Sequence, residues 1–252
     1  ARVVVSEVAG TTRDPVDTSI RYHGRELVLI DTAGLRQRMK TASGLDYYTL
    51  LRTVSCIEHC DVAVVLLDAT EGAQRQDTRI IDIALASGKS LVLVMNKWDL
   101  VSGKETNTAV KIEKEFKERY PHLVHVPLIF ISAVTAQRIG KLLALIVEAA
   151  DNRRRKLPQA QLLEFLDQAT RRLQPPASGN RKIVFFGISQ TGVAPPVVTV
   201  YTNLPARVPE NYRRYLLNAF RERFSFAGTP VRFDFARSKE ASQGRKTSAR
   251  RK

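Results

Sequence analysis

The sequence predicts an α/β protein in two parts: a doubly wound parallel sheet over residues 1–152 and a small α+β domain over residues 157–236, followed by a basic tail at 237–252. Three observations carry this. Between Asp61 and Ala150, apolar strand-like runs alternate with helical periodicities, the pattern of a parallel sheet with helices on both faces. Residues 157–236 instead run helix, strand, strand, helix, strand. Charge is also divided unevenly: of the net +15, residues 1–150 contribute +1 and residues 151–252 contribute +14. A part so basic expects a polyanion as its partner.

The chain opens on the strand-like Arg2–Val5 and enters a loop at Gly10-Thr11-Thr12-Arg13-Asp14-Pro15. Thr18–Tyr22 and Glu26–Ile30 flank His23-Gly24 and predict an antiparallel hairpin. The run Val28-Leu29-Ile30 reads as a strand buried on both faces. Arg36–Gly44 lacks periodicity and is expected to be mobile, after which Tyr47, Leu50, Leu51, Val54 and Ile57 recur at helical spacing. Strands are predicted at Asp61–Asp68, Ser90–Met95 and Pro127–Ile131, and helices at Gln76–Ala86, Val110–Tyr120 and Ile139–Ala150. Arg153–Pro158 reads as a basic linker. Beyond it come a helix at Gln161–Leu173, a loop at Pro175–Asn180 and strands at Lys182–Gly187 and Pro196–Tyr201. A helix over Pro209–Phe224 and a strand carrying Val231, Phe233 and Phe235 complete the domain. From Arg237 onward, Arg, Lys, Ser and Gly predominate, too few apolar side chains to offset ordering entropy.

No apolar run reaches membrane-span length, and the start carries no secretory pattern, so a cytoplasmic protein without membrane contact is expected. Cys56 and Cys60, the only cysteines, lie i,i+4 beside His59. Zinc wants about four ligands, so the pair reads as reduced core thiols.

The chemistry concentrates at strand ends. Asp31 follows the run Val28–Ile30, where open α/β sheets place ligands, and can hold Mg²⁺ through water. Thr32, Ala33 and Gly34 continue the turn, and Gly34, lacking a side chain, lets backbone N–H approach a terminal phosphate. Asn96-Lys97-Trp98-Asp99 follows Leu91–Met95 at the same sheet edge. Asp99 can accept from guanine N1–H and N2–H₂, a pair adenine lacks. The stem of Lys97 can lie across the base, and Asn96 can tie the loop to its neighbours. The backbone N–H groups of Ser132 and Ala133 are placed to meet the guanine carbonyl. A hydroxyl of Thr11-Thr12 can coordinate Mg²⁺ when its loop closes over a triphosphate. Asp68, the rival to Asp31, has no following glycine at the right distance and reads as a turn residue.

One motif is missing. No G-x-x-x-x-G-K-[ST] loop occurs: Gly88-Lys89-Ser90 has Ile83 at the first glycine and lies between helix and strand, and Gly187 with Gly192 is followed by Val193.

In order and spacing, Thr11-Thr12, Asp31–Gly34, Asn96–Asp99 and Ser132-Ala133 resemble the switch I, switch II, guanine-specificity and fifth motifs of a translation-factor-class GTPase. With Gly10–Asp14, Asp31–Leu35 and the basic α+β C-terminus, essentially the whole chain resembles the second GTPase domain and KH-like domain of the bacterial Der (EngA) family. That resemblance implies a P-loop-NTPase-like sheet whose first strand and phosphate loop, with a whole upstream GTPase domain, lie before Ala1, leaving this chain inactive alone. It implies GTP/GDP and Mg²⁺, with Thr12 and Asp31 as metal ligands and Thr12, Asp31 and Gly34 as catalytic. Nucleotide contacts would fall on Asp31, Thr32, Ala33, Gly34, Leu35, Asn96, Lys97, Trp98, Asp99, Ser132 and Ala133. Leu35 stands where Ras-like proteins carry the water-orienting glutamine, and the family's K⁺ activation would involve Ser6–Gly10. The implied partners are the large ribosomal subunit or its precursor and rRNA.

The second domain has no G-x-x-G loop, so KH-type clamping of nucleic acid is not expected. Arg213, Arg214 and Arg221 share one helix face and are the candidate phosphate contacts, with Tyr212, Leu216, Ala219 and Phe220 opposite. An alternative reading is an RNA- or ribosome-binding module whose GTPase half is inert.

Overall fold

The computed structural model describes residues 17–30, 54–178 and 181–238. Switch residues Thr11, Thr12 and Asp31–Leu35, the segments 1–16 and 31–53, and the tail beyond 238 lie outside them.

Strands β1 (Asp17–Tyr22) and β2 (Arg25–Ile30) pair antiparallel with Tyr22 opposite Arg25. Two residues close that hairpin, and both take positive φ, His23 at 47° and Gly24 at 77°, the geometry whose twist matches paired strands. The hairpin rests on the later helix 139–154 through Tyr22 Oη, which donates to the Gly140 carbonyl at 3.1 Å, and through Arg25 and Asp151 at 2.5 Å. The expected burial of β2 is corrected: Val28 and Leu29 are 55% and 43% exposed. An apolar run states what a strand can bury, and among the described residues no strand pairs with β1–β2 to cover it.

Strands β3 (Val62–Asp68), β4 (Ser90–Asn96) and β5 (Leu128–Phe130) form a parallel sheet in that order. Helix α1 (Arg75–Ala86) crosses from β3 to β4, and α2 (Thr108–Arg119) from β4 to β5. Asp77 accepts from the Gln74 N–H at 3.0 Å and so caps the start of α1. Leu91, Leu93 and Met95 of β4 face the α1/α2 side with Ile81 and Phe116. Val92 and Val94 face the other side, under α3 (Ile139–Arg154). Burial of alternate β4 residues on both faces is what a doubly wound sheet requires.

The second part is built on α4 (Gln159–Arg172), a two-residue pair of β6 (Ala177–Ser178) and β7 (Arg181–Lys182), then β8 (Phe185–Gly192), β9 (Val197–Thr202), α5 (Glu210–Phe224) and β10 (Arg232–Arg237). Its sheet runs β10-β9-β8, with β8 antiparallel and β10 parallel to β9. Leu162, Phe165, Leu166 and Ala169 of α4, spaced i, i+3, i+4, i+7 on one face, meet Tyr212, Leu216, Phe220 and Phe224 of α5 over Ile188, Val198 and Val200. Phe220 lies edge-on to Phe165 at 5.4 Å and to Phe233 at 5.2 Å. The strand expected at Lys182–Gly187 is displaced toward the C-terminus, because the polar run Ser189-Gln190-Thr191 shows no apolar alternation yet is held in the sheet by pairing with the buried β9.

The expected linker is also corrected. Arg153 is 5% exposed and lies in the last turn of α3, inside a contact between the two parts. It donates to the carbonyls of Gly88 and Ala194, while Arg155 donates to Phe224 and lies over the Phe226 ring at 4.1 Å. Main chain joins main chain as well: the Leu91 N–H donates to the Gly228 carbonyl at 2.6 Å, and the Gly228 N–H to the His125 carbonyl at 2.9 Å. Behind them the buried hydroxyls of Ser90 and Thr229 meet at 3.0 Å and share the Ala149 carbonyl.

His125 and Arg221 face each other across this contact at 2.9 Å. Arginine has no acceptor, so it must donate to Nδ1, leaving the proton of a neutral imidazole on Nε2. Burial, and then the Arg221 charge, push the His125 ring down to about 3. An imidazole that stays neutral when folded but titrates near 6.5 when unfolded costs stability as pH falls through that interval. At pH 5, the expected loss is on the order of 2 kcal/mol relative to pH 7.5. Urea midpoints of wild type and His125→Asn at both pH values should show a weaker pH dependence in the variant. Identical pH dependences would refute the assignment.

Candidate functional site

The parallel register sets Asp68 beside Asn96, so the last residues of β3 and β4 stand at one level. From Asn96 the chain turns sharply. Lys97 takes φ 60° and ψ 33°, and Trp98–Leu100 is a single 3₁₀ turn closed by the Leu100 N–H on the Lys97 carbonyl at 3.0 Å. A left-handed lysine costs about 1–2 kcal/mol. The contacts around it offset that cost.

Lys97 Nζ lies 2.5 Å from Asp68 Oδ2. The other carboxylate oxygen of Asp68 accepts from the N–H and hydroxyl of Thr70, at 2.9 and 2.7 Å. The Lys97 ammonium, with Thr70 second, holds this buried carboxyl well below the usual carboxylate range. Asp68 is the turn residue that the sequence suggests, and it also anchors a site residue. Two parallel strands ending side by side in Asp68 and in Asn96-Lys97 are the signal for that second role.

Asn96 Oδ1 accepts from the Ala133 N–H at 3.0 Å, tying the β4 turn to the turn after β5. The Ser132 N–H donates to the Gln137 carbonyl at 3.4 Å, and the buried Ser132 hydroxyl accepts from Thr135. Neither N–H is therefore free in this structure for the guanine carbonyl to which the sequence assigns them. Asn96 and Gln137 are the nearer acceptors.

Trp98 is a core residue rather than a surface contact. Its ring is buried against Phe130, with centroids 4.6 Å apart, and its main-chain N–H donates to the Ile131 carbonyl at 3.0 Å. Lys104, which no motif marks, reaches back over the indole at 5.5 Å and donates to the Trp98 carbonyl at 2.7 Å. The result is a braced turn in which Asp99 is exposed beside Lys97 and Leu100. Asp99 is exposed, and its carboxylate has no partner among the described residues. A carboxylate with both oxygens open, carried on a braced turn, suits a planar ligand with two adjacent N–H donors.

The Mg²⁺ candidates Thr12 and Asp31, with Thr32, Ala33, Gly34 and Leu35, lie outside the described residues. Among the described residues, no group of three or more His, Cys, Asp or Glu could hold a metal ion, and no helix is long and apolar enough to cross a membrane. Cys56 and Cys60 are free thiols, and burial pushes the Cys60 thiol up.

The arginines proposed for phosphate contact are not brought to one free face. Arg213 donates to the carbonyls of Val208 and Pro205 and lies over Phe235 at 4.5 Å. Arg221 is turned into the contact with His125. Only Arg214 of the three stays exposed. Helical spacing gives the direction of each Cβ, but the carbonyls and rings that capture two of the guanidiniums are distant in sequence.

A family model described as "KH-domain-like of EngA bacterial GTPase enzymes, C-terminal" matches residues 156–236. Another, described as "Elongation factor Tu GTP binding domain", matches residues 6–152. The chain is 41% identical over 231 residues to a protein named GTPase Der from Gemmatimonas aurantiaca, covering 92% of this chain and 53% of that protein. It is 39% identical over 239 residues to the GTPase Der of Desulforamulus reducens, covering 95% and 54%. The chain thus spans about half the length of the curated relatives it matches. Among solved structures, Era in complex with MgGDPNP and a 16S ribosomal RNA segment is similar at 18% identity and a TM-score of 0.47, over 95% of this chain and 88% of that one.

Proposed function

The chain belongs to the Der (EngA) family of GTPases, and from that premise we propose that it supplies the base-recognising part of a GTP-hydrolysing site together with a ribosome-associating domain. The observation that carries this reading is the Asn96–Asp99 turn, which exposes an Asp99 carboxylate with no partner among the described residues at the C-terminal end of β4. GTP is the substrate, and Mg²⁺ held by Thr12 and Asp31 would neutralise phosphate charge. K⁺ supplied near Ser6–Gly10 would take the place of the charge or water-orienting group that Leu35 cannot offer. The proposed setting is assembly of the large ribosomal subunit in the cytoplasm, with rRNA as the polyanion met by the +14 half of the chain.

None of these 252 residues forms a G-x-x-x-x-G-K-[ST] loop. Residues 1–252 alone are therefore expected to hydrolyse GTP negligibly, since most contacts to the β- and γ-phosphates come from such a loop. A longer protein that supplies the loop should hydrolyse GTP, faster in K⁺ than in Na⁺. Phosphate release measured for both, in both salts, is the test, and turnover by residues 1–252 alone would sink this part of the reading. The absent loop favours the second reading, an RNA- or ribosome-binding module with an inert GTPase half. A loop-bearing protein that binds ribosomal precursor without hydrolysing GTP would establish it.

A further inference from the structure

The second domain retains cations that its ion pairs among the described residues do not use, and four of them lie at one end of its sheet. Its acidic residues Asp167, Glu222 and Glu164 already pair with Arg171, Arg172 and Arg223. Arg181, Lys182, Arg207 and Arg237 are all exposed, with no carboxylate partner among the described residues.

Main-chain links place these four around Thr202 and Asn203. Asn203 Nδ2 donates to the Lys182 carbonyl at 2.9 Å, and Asn203 Oδ1 accepts from the Val184 N–H at the same distance. Arg237 is the register partner of Thr202 on β10. The turn Pro205–Arg207 follows directly and packs against β10. Asp234, the only carboxylate of β10, lies three residues back along the strand. Ser238 donates to the Thr202 carbonyl at 3.2 Å, so the Arg- and Lys-rich sequence 239–252 continues from this same end.

An aromatic ring belongs to the patch. Phe185 pairs with Thr202 across β8 and β9, and a register shift between Phe185 and Gly187 leaves Phe186 as the extra residue. Phe185 packs inward on Tyr212 and Phe235, whereas Phe186 is 46% exposed and Val184 beside it 43%. A bulge re-aims a side chain, and this one leaves a ring exposed at the end of the sheet where these four cations lie. Cations that follow a backbone, combined with a ring on which a base can stack, suit unpaired nucleotides. An acidic protein surface would use the charges and leave the ring without a role.

We propose that this end of the sheet is a docking surface for single-stranded RNA, with phosphates on Arg181, Lys182, Arg207 and Arg237 and a base stacked on Phe186. The proposal rests on the reading of this domain as the part that meets ribosomal RNA.

The test is fluorescence anisotropy of the full chain with a labelled 12-nucleotide single-stranded RNA and with its duplex. Phe186→Ala should weaken single-strand binding about tenfold, the scale of one lost stacking contact, and leave duplex binding unchanged. Phe186→Tyr should bind like wild type. Arg207→Gln combined with Arg237→Gln should flatten the salt slope by about 1.4, roughly 0.7 for each phosphate contact on a single strand. Equal losses on single strand and duplex in Phe186→Ala would overturn the stacking assignment. Unchanged affinity and slope in all variants of an RNA-binding chain would overturn this surface while leaving the ribosomal reading intact. A wild-type chain that binds no RNA would overturn both.

Discussion

Asp99→Asn is expected to lower guanine-nucleotide affinity on the order of 10³-fold in a protein that supplies the phosphate loop, and to create affinity for xanthine nucleotides. The carboxylate offers two acceptors to the guanine N1–H and N2–H₂. Asparagine offers one acceptor and one donor, so one guanine N–H faces another N–H and a desolvated donor stays unpaired. Xanthine carries a carbonyl where guanine carries the amine, and the asparagine amide can donate to it. The fold is expected to be unaffected, because Asp99 is exposed and its carboxylate bonds no described residue. Competition binding with GDP and xanthosine diphosphate reads both halves at once. A variant that holds GDP as wild type does would remove the turn from the nucleotide site.

Gly228→Ala is expected to destabilise the chain by about 3 kcal/mol, through left-handed strain and a collision with backbone. Gly228 has φ +69°, and an added Cβ would stand 2.8 Å from the Leu91 carbonyl oxygen, 3.2 Å from Pro127 and 3.3 Å from Ala149. The carbonyl belongs to a sheet strand and cannot swing aside as a flexible side chain would. Gly103 provides the comparison: its φ is +63°, and a Cβ there meets nothing within 4 Å. Gly103→Ala should cost only the conformational part, about 1–2 kcal/mol. The difference between the two, measured by urea unfolding, isolates the contact. Equal costs would mean that the inter-part contact contributes little.

Much of the fold was legible because it depends on local pattern. The His23-Gly24 hairpin follows from a turn that requires positive φ at two adjacent positions. The apolar run of β4, followed by Asn96-Lys97-Trp98-Asp99, marks both a buried strand and its functional end. What stayed illegible depends on partners far away in sequence. Arginine reads as a solvated charge, yet Arg153, Arg155, Arg213 and Arg221 are each drawn inward by carbonyls, rings or an imidazole. No rule of spacing reveals an acceptor on another element. Val28 and Leu29 fail in the opposite sense, since an apolar strand is covered only if another element reaches it. Trp98 falls between: its place in the motif was clear, but its pairing with Phe130 depended on β5.

The contact at Gly228 bears on where this polypeptide can be cut. β4 donates a main-chain bond to the basic domain from Leu91 and ends in the turn that presents Asp99. A polypeptide stopped at Arg155 would leave the Leu91 N–H and the His125 carbonyl without their partners and the Ser90 hydroxyl with the Ala149 carbonyl alone, and would bare apolar surface beside Ala149. The complementary piece would lose the acceptors and donors of residues 225–229 in the same stroke. Two regions that differ in charge, layer arrangement and proposed ligand therefore make one unit of manufacture: each is expected to be soluble and well formed only when the other is translated with it.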